Sequence, residues 1–261
     1  ATVATGFAHT EQGVYDFFNK TLYALQYDPR DIKGVIGRVL EFLNAEEMIR
    51  FAGNNVSATD FGRRTSELYI DPVSAIVIRR GLFNRAKSLT DTSFLHMISH
   101  TPDMTPKFYP RRRDMEELTI YLEEHRNEFV FDIPDEWGNR MEYEEFLAEL
   151  KNARVLECWI NEISEDEIIE RYGVEPGDLF RMVENADWLL YATHELAQLF
   201  KHKDLMPKLS ELRERIENGV KPELLPLVRL KGIGRMRGRM LFNADLRTIE
   251  DLKRATIPQL T

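Results

Sequence analysis

The sequence predicts a mainly α-helical fold, and three observations support this. Apolar residues recur at three- and four-residue steps over most of the chain, which is the period of an amphipathic helix. Proline and glycine separate these stretches, as they do between helices. Strand patterns are confined to residues 48–51 and 56–58, on either side of the turn sequence Gly53-Asn54-Asn55. A chain of 261 residues with 43% hydrophobic residues is long enough for two or three such domains.

The first part of the chain has the element order of a winged-helix module. Aromatic and apolar residues predict helices over residues 14–25 and 32–43, and the short hairpin follows them. Thr59 or Asp60 can cap the next helix. Asp71-Pro72 has the N-cap and N1 proline pattern of a further helix that runs to about residue 82.

The middle of the chain predicts a helical bundle. Its pattern is almost wholly helical from residue 94 to about residue 203. Helices are expected over residues 112–129, 141–162, 164–172 and 176–201. One charged helix and a glycine-containing turn follow Leu205, which indicates a small terminal domain.

Composition and missing motifs exclude several classes of protein. Cys158 is the sole cysteine, so an internal disulfide framework and a cysteine-based zinc site are ruled out. No stretch supplies the about 18 apolar residues of a membrane helix, and residues 1–10 lack the pattern of a signal peptide. We therefore expect a soluble intracellular protein, as a fragment of a longer one. A phosphate loop and a nucleophile elbow are also absent, so we expect no catalytic residues, no bound cofactor and no ATP hydrolysis by this chain alone.

Two histidines are the best metal-ligand candidates in the sequence. His96 and His100 are four residues apart and could share one face of a helix. A third ligand at a motif spacing is missing, which favours structural or capping histidines. We predict no metal site.

The helix over residues 176–201 separates two faces of different chemistry. At 100° per residue, its apolar stripe centres on Ala186. Arg181 then falls about 140° from that centre and Trp188 about 160° from it. Trp188 could pack against another domain, or it could stack on an unpaired base while Arg181 holds a phosphate. The spacing permits both interpretations.

The sequence Gly232-Ile233-Gly234 predicts a helix-hairpin-helix turn. Glycines allow the backbone to approach a phosphate, which the N–H groups of the following helix can bind. Arg235, Arg237 and Arg239 add positive charge directly after the turn. These six residues predict contact with DNA that does not depend on its sequence, and the alternative is a tight turn in a protein-interaction module.

Several segments together resemble the accessory C-terminal half of archaeal Ski2-like superfamily 2 DNA helicases, which are related to the eukaryotic HelQ repair helicase. The resemblance extends over nearly the whole chain and includes the Gly-Ile-Gly turn. Its most specific segments are Phe61-Gly62-Arg63-Arg64, Leu68-Tyr69-Ile70-Asp71-Pro72, His100-Thr101-Pro102-Asp103-Met104, Trp159-Ile160-Asn161-Glu162, Glu165-Asp166-Glu167-Ile168 and residues 177–191.

The resemblance implies three domains. Residues 1–88 would be a linker from the motor plus the winged-helix domain, residues 89–203 the helical ratchet domain, and residues 204–261 the helix-hairpin-helix-like terminal domain. The helix over residues 176–201 would then be the ratchet helix, with Trp188 stacking on a base and Arg181 contacting the strand. ATP and Mg would bind only to the RecA-like motor domains, which this chain lacks.

The resemblance also implies a function and partners. The chain would be the DNA-binding part of an ATP-dependent 3'-to-5' repair helicase, associated with the chromosome, that grips single-stranded and forked DNA. Its partners would also include repair proteins, and it would not bind a membrane. Two alternatives stay open, which are a protein-interaction module with little DNA affinity and the equivalent part of an RNA-acting Ski2-like helicase.

Charge is distributed unevenly along the chain. The net charge is -9, but residues 112–180 alone carry -14 and residues 221–261 carry +5. We therefore expect the acidic part of the bundle to face solvent or a protein. DNA should meet the Trp188 face and the Gly-Ile-Gly turn.

Overall fold

A computed structural model describes residues 1–26, 29–84 and 89–255 of the chain. Helices dominate this part, which confirms the mainly α prediction. None of the helices described there combines the length and apolarity that crossing a membrane requires. The helices are α1 (Glu11–Phe18), α2 (Tyr23–Gln26), α3 (Pro29–Ala45), α4 (Asp60–Glu67), α5 (Pro72–Phe83), α6 (Asp91–Ser99), α7 (Met115–Glu124), α8 (Arg140–Ile160), α9 (Glu165–Tyr172), α10 (Pro176–Leu199), α11 (Met206–Asn218), α12 (Leu225–Val228), α13 (Arg235–Asn243) and α14 (Ile249–Arg254); the strands are β1 (Ile49–Ala52) and β2 (Asn55–Ala58), and Pro222–Leu224 forms a 3-10 turn.

The predicted winged-helix element is present around the hairpin. Strands β1 and β2 pair antiparallel with Ala52 opposite Asn55, and Gly53 starts the turn at a φ of +61°, where a side chain would be strained. Thr59 caps α4: its Oγ1 accepts the Gly62 N–H at an N to Oγ1 distance of 3.1 Å. Asp71 caps α5 and Pro72 occupies its first turn. The local capping chemistry therefore fixes the element bounds that the sequence predicts.

Two predicted helices differ from those in the structure. The helix expected over residues 14–25 is divided into α1 and α2, because the Thr21 hydroxyl donates to the Phe18 carbonyl at 2.7 Å and competes with the helical backbone bonds. The helix expected over residues 112–129 is limited to α7. Asp114 precedes α7 and forms a buried ion pair with Lys151 at 2.5 Å, which binds this helix start to α8.

Helix α10 lies at the centre of the main core. It packs against α4, α5, α6, α8 and α11, and its buried residues join one apolar cluster with Phe61 and Leu68 of the winged-helix module. The cluster continues into α11 through Leu209 and Leu212. The winged-helix module and the bundle therefore share a core. The domain boundaries at residues 88 and 203 stay predictions, and residues 85–88 and 256–261 lie outside the described residues.

The terminal segment has a small core of its own. Its buried members are Val220, Leu224, Leu225, Leu227 and Val228, and Ile233, Leu241, Phe242 and Leu252 pack against them. Helices α12 and α13 thus form a separate apolar cluster beside the bundle, as a helix-hairpin-helix arrangement requires.

The two predicted histidines occupy structural positions. His96 is fully buried on α6, where its ring lies 4.9 Å from that of Phe129 and 4.6 Å from that of Phe146. Neither ring nitrogen of His96 has a hydrogen-bond partner among the described residues. His100 follows α6 and bonds Glu149 at 2.6 Å. Within residues 1–26, 29–84 and 89–255 no group of three His, Cys, Asp or Glu is placed to hold a metal ion.

We predict that His96→Phe makes the stability of the protein less dependent on pH. Burial lowers the pKa of His96 to about 3, whereas a histidine in the unfolded chain has a pKa of about 6.5. The unfolded state therefore binds more protons as the pH falls below about 6.5, and this lowers the free energy of unfolding. Between pH 7.5 and pH 5.0 the contribution of His96 to this loss is about 2 kcal/mol.

Urea denaturation at the two pH values tests this prediction. The variant should lose about 2 kcal/mol less stability than the unsubstituted protein on going to pH 5.0. Equal losses for the two proteins would mean that His96 is not held neutral in the fold.

Candidate nucleic-acid interface

Helix α10 presents a mixed aromatic and charged stripe opposite its core face. One side of the helix is lined by buried residues, which are Leu179, Met182, Ala186, Leu189, Leu190, Thr193 and Ala197. The α10 stripe consists of Arg181, Glu184, Trp188 and Tyr191, at steps of three and four residues. Arg181, Glu184 and Tyr191 are exposed and Trp188 is partly buried. The stripe therefore faces outward from the centre of the molecule.

Trp188 joins the stripe to the winged-helix module. Its Nε1–H donates to the carbonyl oxygen of Leu68 at 3.0 Å, directly after α4. The ring also packs against the main core cluster. One edge of the indole is thus fixed between α4 and α10, as the packing interpretation expects, while part of the ring stays accessible. Its orientation is set before any ligand binds.

Arg181 lies two turns before Trp188 on the same stripe. Seven residues of helix separate their Cα atoms by about 10 Å along the axis. In the described part of the chain Arg181 makes no hydrogen bond or ion pair, and Glu184 is its exposed neighbour one turn away. Between them, Asn185 donates to the Thr105 carbonyl at 2.7 Å and attaches a loop to α10. The Arg181 guanidinium is available to an anion.

Ion pairs flank the stripe on both sides. Arg64 of α4 pairs with Glu195 near the end of the stripe. Burial alone would raise the pKa of Glu195, but the hydrogen bonds from Arg64 and His194 hold that pKa below its usual value. Both partners are therefore charged, and the pair connects α4 to α10.

Arg213 of α11 forms the second flank. It bonds Asp187 through Nε at 2.7 Å, and its guanidinium lies 4.9 Å from the centre of the Tyr191 ring. The two flanking arginines neutralise Asp187 and Glu195, so these carboxylates do not repel a nucleic acid at full strength. Sequence reasoning missed both pairs, because their partners are distant in the chain and form no local pattern.

The predicted turn at Gly232-Ile233-Gly234 is open to solvent. Gly232 has a φ of +87°, which favours glycine, and Gly234 is the N-cap of α13. A Cβ at Gly232 or Gly234 would meet no described atom within 4 Å. Ile233 is partly buried and packs against the terminal core. The first N–H groups of α13, which have no partner within a helix, begin at this open turn.

Two of the three predicted arginines contact residues at the end of α8. Arg235 donates to the Ile163 carbonyl at 2.5 Å, and its guanidinium lies 4.7 Å from the centre of the Trp159 ring. Burial lowers the pKa of Arg235. Arg239 bonds Glu162 twice, at 2.7 and 2.6 Å. These contacts attach α13 to the end of α8.

Arg237 differs from its two neighbours. It is exposed, and Nη1 donates to the Gly232 carbonyl at 2.9 Å. No carboxylate pairs with it within the described ranges. Of the three arginines, Arg237 is therefore the one that combines solvent exposure with a position on the open turn.

Comparisons with known proteins agree with this architecture. Residues 92–219 match the family model "Archaeal helicase, domain 4". The ATP-dependent DNA helicase Hel308 of Methanocella arvoryzae is 40% identical over 264 aligned positions, covering 100% of this chain and 35% of that protein. Hel308 of Pyrococcus horikoshii is 37% identical, covering 100% of the chain and 36% of the relative. Hel308 of Thermococcus kodakarensis is 39% identical over 92% of the chain and 21% of the relative.

The chain spans about a third of the length of the first two relatives, whose names describe whole helicases. The sequence similarity includes all of α4, α10 and α13, and thus both candidate contact regions.

We predict that Arg239→Ala weakens the attachment of the terminal segment that contains α13, whereas Arg237→Ala does not. Burial alone would raise the pKa of Glu162, but Arg239 and the Lys221 N–H hold it below its usual value, so the variant leaves a partly buried carboxylate without its main partner. The free energy of local opening should fall by about 1–3 kcal/mol.

Hydrogen exchange of the α13 amides measures this opening. Exchange should accelerate roughly 5- to 150-fold in Arg239→Ala, since each ~1.4 kcal/mol corresponds to a factor of ten. Arg237→Ala is the matched control and should keep the original protection. Unchanged exchange in both variants would contradict a role for Arg239 in the attachment.

Proposed function

We propose that this chain, which belongs to the archaeal Ski2-like superfamily 2 helicases as part of their C-terminal half, binds single-stranded DNA along the α10 stripe. Relatives in this family are named ATP-dependent DNA helicases. For the whole protein we accordingly propose ATP- and Mg-dependent 3'-to-5' unwinding of forked DNA, with the RecA-like motor supplying the ATPase. This chain would supply the grip on the strand.

The single observation that carries the proposal is the arrangement of the α10 stripe. An unpaired guanidinium at Arg181 and aromatic rings at Trp188 and Tyr191 share one outward line on α10, the helix that packs against α4, α5, α6, α8 and α11. Aromatic faces stack on any base, and a guanidinium can bind a phosphate or stack beside a base. The pattern suits a strand that lies along the helix.

Stacking should contribute more than charge at this stripe. Arg181 is accompanied by the exposed Glu184, and the flanking carboxylates Asp187 and Glu195 are already paired. The net charge available to phosphates is therefore small, whereas each stacked base contributes about 1–3 kcal/mol. Such a grip tolerates all sequences, which a helicase requires as it moves along DNA.

The terminal domain offers a second, electrostatic contact. The open Gly232-Ile233-Gly234 turn and Arg237 can hold a phosphate without reading bases. Arg235 and Arg239 would act indirectly there, since their contacts with α8 position the turn. The two contact regions would thus bind the same polymer through different forces.

A protein-interaction module is the second candidate, and the packing of Trp188 favours it. The Trp188 Nε1–H donates to the Leu68 carbonyl, so part of the role of Trp188 is structural. The -14 charge of residues 112–180 also suits a protein partner better than DNA. In that case, substitutions on the α10 stripe would leave DNA affinity unchanged.

We predict that Trp188→Ala weakens binding to single-stranded oligo(dT) by about 5- to 100-fold, the effect of losing one stacked base. Arg181→Ala should weaken it by about 3- to 20-fold, as expected for one charged contact. Fluorescence anisotropy with the isolated chain measures both effects. Competition with a matched RNA strand tests whether DNA is preferred.

Trp188→Phe is the matched control for the structural role of Trp188. It retains an aromatic face but loses the N–H that bonds Leu68, so it should bind within about threefold of the unsubstituted chain if stacking matters. Thermal unfolding of all three variants identifies any loss of fold. Unchanged affinity in both Trp188→Ala and Arg181→Ala would refute the DNA-binding assignment of α10.

We also predict that Arg237→Ala lowers the salt dependence of DNA binding. Removing one phosphate contact should reduce the slope of log affinity against log salt by about 1. Trp188→Ala should leave this slope unchanged, because stacking releases no counterions. Equal slopes for Arg237→Ala and the unsubstituted chain would remove Arg237 from the interface.

A further inference from the structure

Tyr69 is an exposed aromatic residue beside the α10 stripe. Its side chain is 87% exposed, while those of its neighbours Leu68 and Ile70 are buried. Its φ is +58°, in the left-handed region that residues other than glycine and asparagine rarely adopt. The alternation of buried and exposed residues directs the Tyr69 ring away from the core.

The backbone on both sides of Tyr69 is held by hydrogen bonds. The Leu68 carbonyl accepts the Trp188 Nε1–H at 3.0 Å, and the Asp71 N–H donates to the Asp103 carboxylate at 2.7 Å. Asp71 also caps α5. Tyr69 is therefore attached to a fixed backbone even though its ring packs against little. Such an exposed but positioned ring loses little further backbone freedom when it binds a ligand.

The bond from Trp188 to Leu68 also sets the distance between the two aromatic residues. The Leu68 carbonyl oxygen and the Tyr69 Cα belong to the same planar peptide unit. Standard peptide dimensions then put the Tyr69 Cα within about 6 Å of the Trp188 Nε1. The Tyr69 side chain therefore begins next to the Nε1 edge of the Trp188 indole.

Single exposed aromatic residues are common and need no function. Tyr69 differs from them in its place at the seam between α4 and α10. Its hydroxyl has no hydrogen-bond partner within the described ranges, so the ring is not held back by a contact of its own. Both helices that meet at this seam also carry an exposed positive charge, at Arg63 of α4 and Arg181 of α10.

We propose that Tyr69 is a second base-stacking residue, which the winged-helix module contributes beside Trp188. Its ligand is an unpaired base of single-stranded DNA, next to the base that Trp188 binds. This inference rests on the proposed function of α10. It adds that the strand crosses the seam between α4 and α10, so that both the winged-helix module and the bundle hold it.

The test compares two strands of equal length, oligo(dT) and oligo(dT) with several adjacent abasic positions. Tyr69→Ala should weaken binding of the isolated chain to oligo(dT) by about 5- to 100-fold, and Tyr69→Phe should bind within about twofold. Replacing bases by abasic positions should cost the unsubstituted chain more affinity than it costs Tyr69→Ala. A residue with only a structural role would not change this difference.

Two further variants keep the result interpretable. Tyr69→Asn suits a left-handed backbone and should bind as weakly as Tyr69→Ala, even if the alanine variant unfolds. Trp137→Ala removes an aromatic residue that is 90% exposed in the loop before α8, and it should bind normally.

The outcomes separate this inference from the function on which it rests. Normal binding by Tyr69→Ala and Tyr69→Asn, together with weak binding by Trp188→Ala, overturns the role of Tyr69 and leaves the α10 assignment intact. Equal abasic penalties for Tyr69→Ala and the unsubstituted chain also overturn it. Normal binding by the variants at Tyr69, Trp188 and Arg181 overturns both.

Discussion

The burial of one face of α10 is the constraint on which the rest of the structure depends. That face meets five helices, and its apolar residues belong to the same cluster as residues of α4, α5, α6, α8 and α11. Burying apolar surface is the dominant favourable term in folding, and interiors are close-packed, so the five neighbouring helices fix the position of α10. The opposite face is left outward, where it can act without disturbing the core.

Polar contacts then set the angle at which the neighbours meet α10. Arg64 with Glu195 and Trp188 with the Leu68 carbonyl join α4 to it, and Arg213 with Asp187 joins α11. Hydrogen bonds are directional, whereas apolar packing tolerates sliding, so these few contacts define the shape of the outward face. The shape of the proposed binding stripe therefore depends on how α4, α10 and α11 are aligned.

Local chemistry made much of the fold predictable from sequence. The caps at Thr59 and Asp71 and the turn at Gly53 depend on neighbouring residues, and the structure has them where the sequence predicts them. The division between α1 and α2 was missed because a single hydroxyl at Thr21 decides it. Periodicity indicated which side of α10 is outward, but it could not reveal that Arg235 and Arg239 bind α8, since such pairs join distant parts of the chain.

The way in which the terminal segment is attached determines how the molecule unfolds locally. The winged-helix module and bundle share one apolar cluster, whereas α12 and α13 have their own small cluster and are held to α8 largely by polar contacts. Proteins open in cooperative units, and units joined by polar contacts separate at lower free energy than a common core. The chain should therefore contain two such units. The terminal segment with α12 and α13 can then detach from α8 and bind it again while the residues along α10 keep their positions.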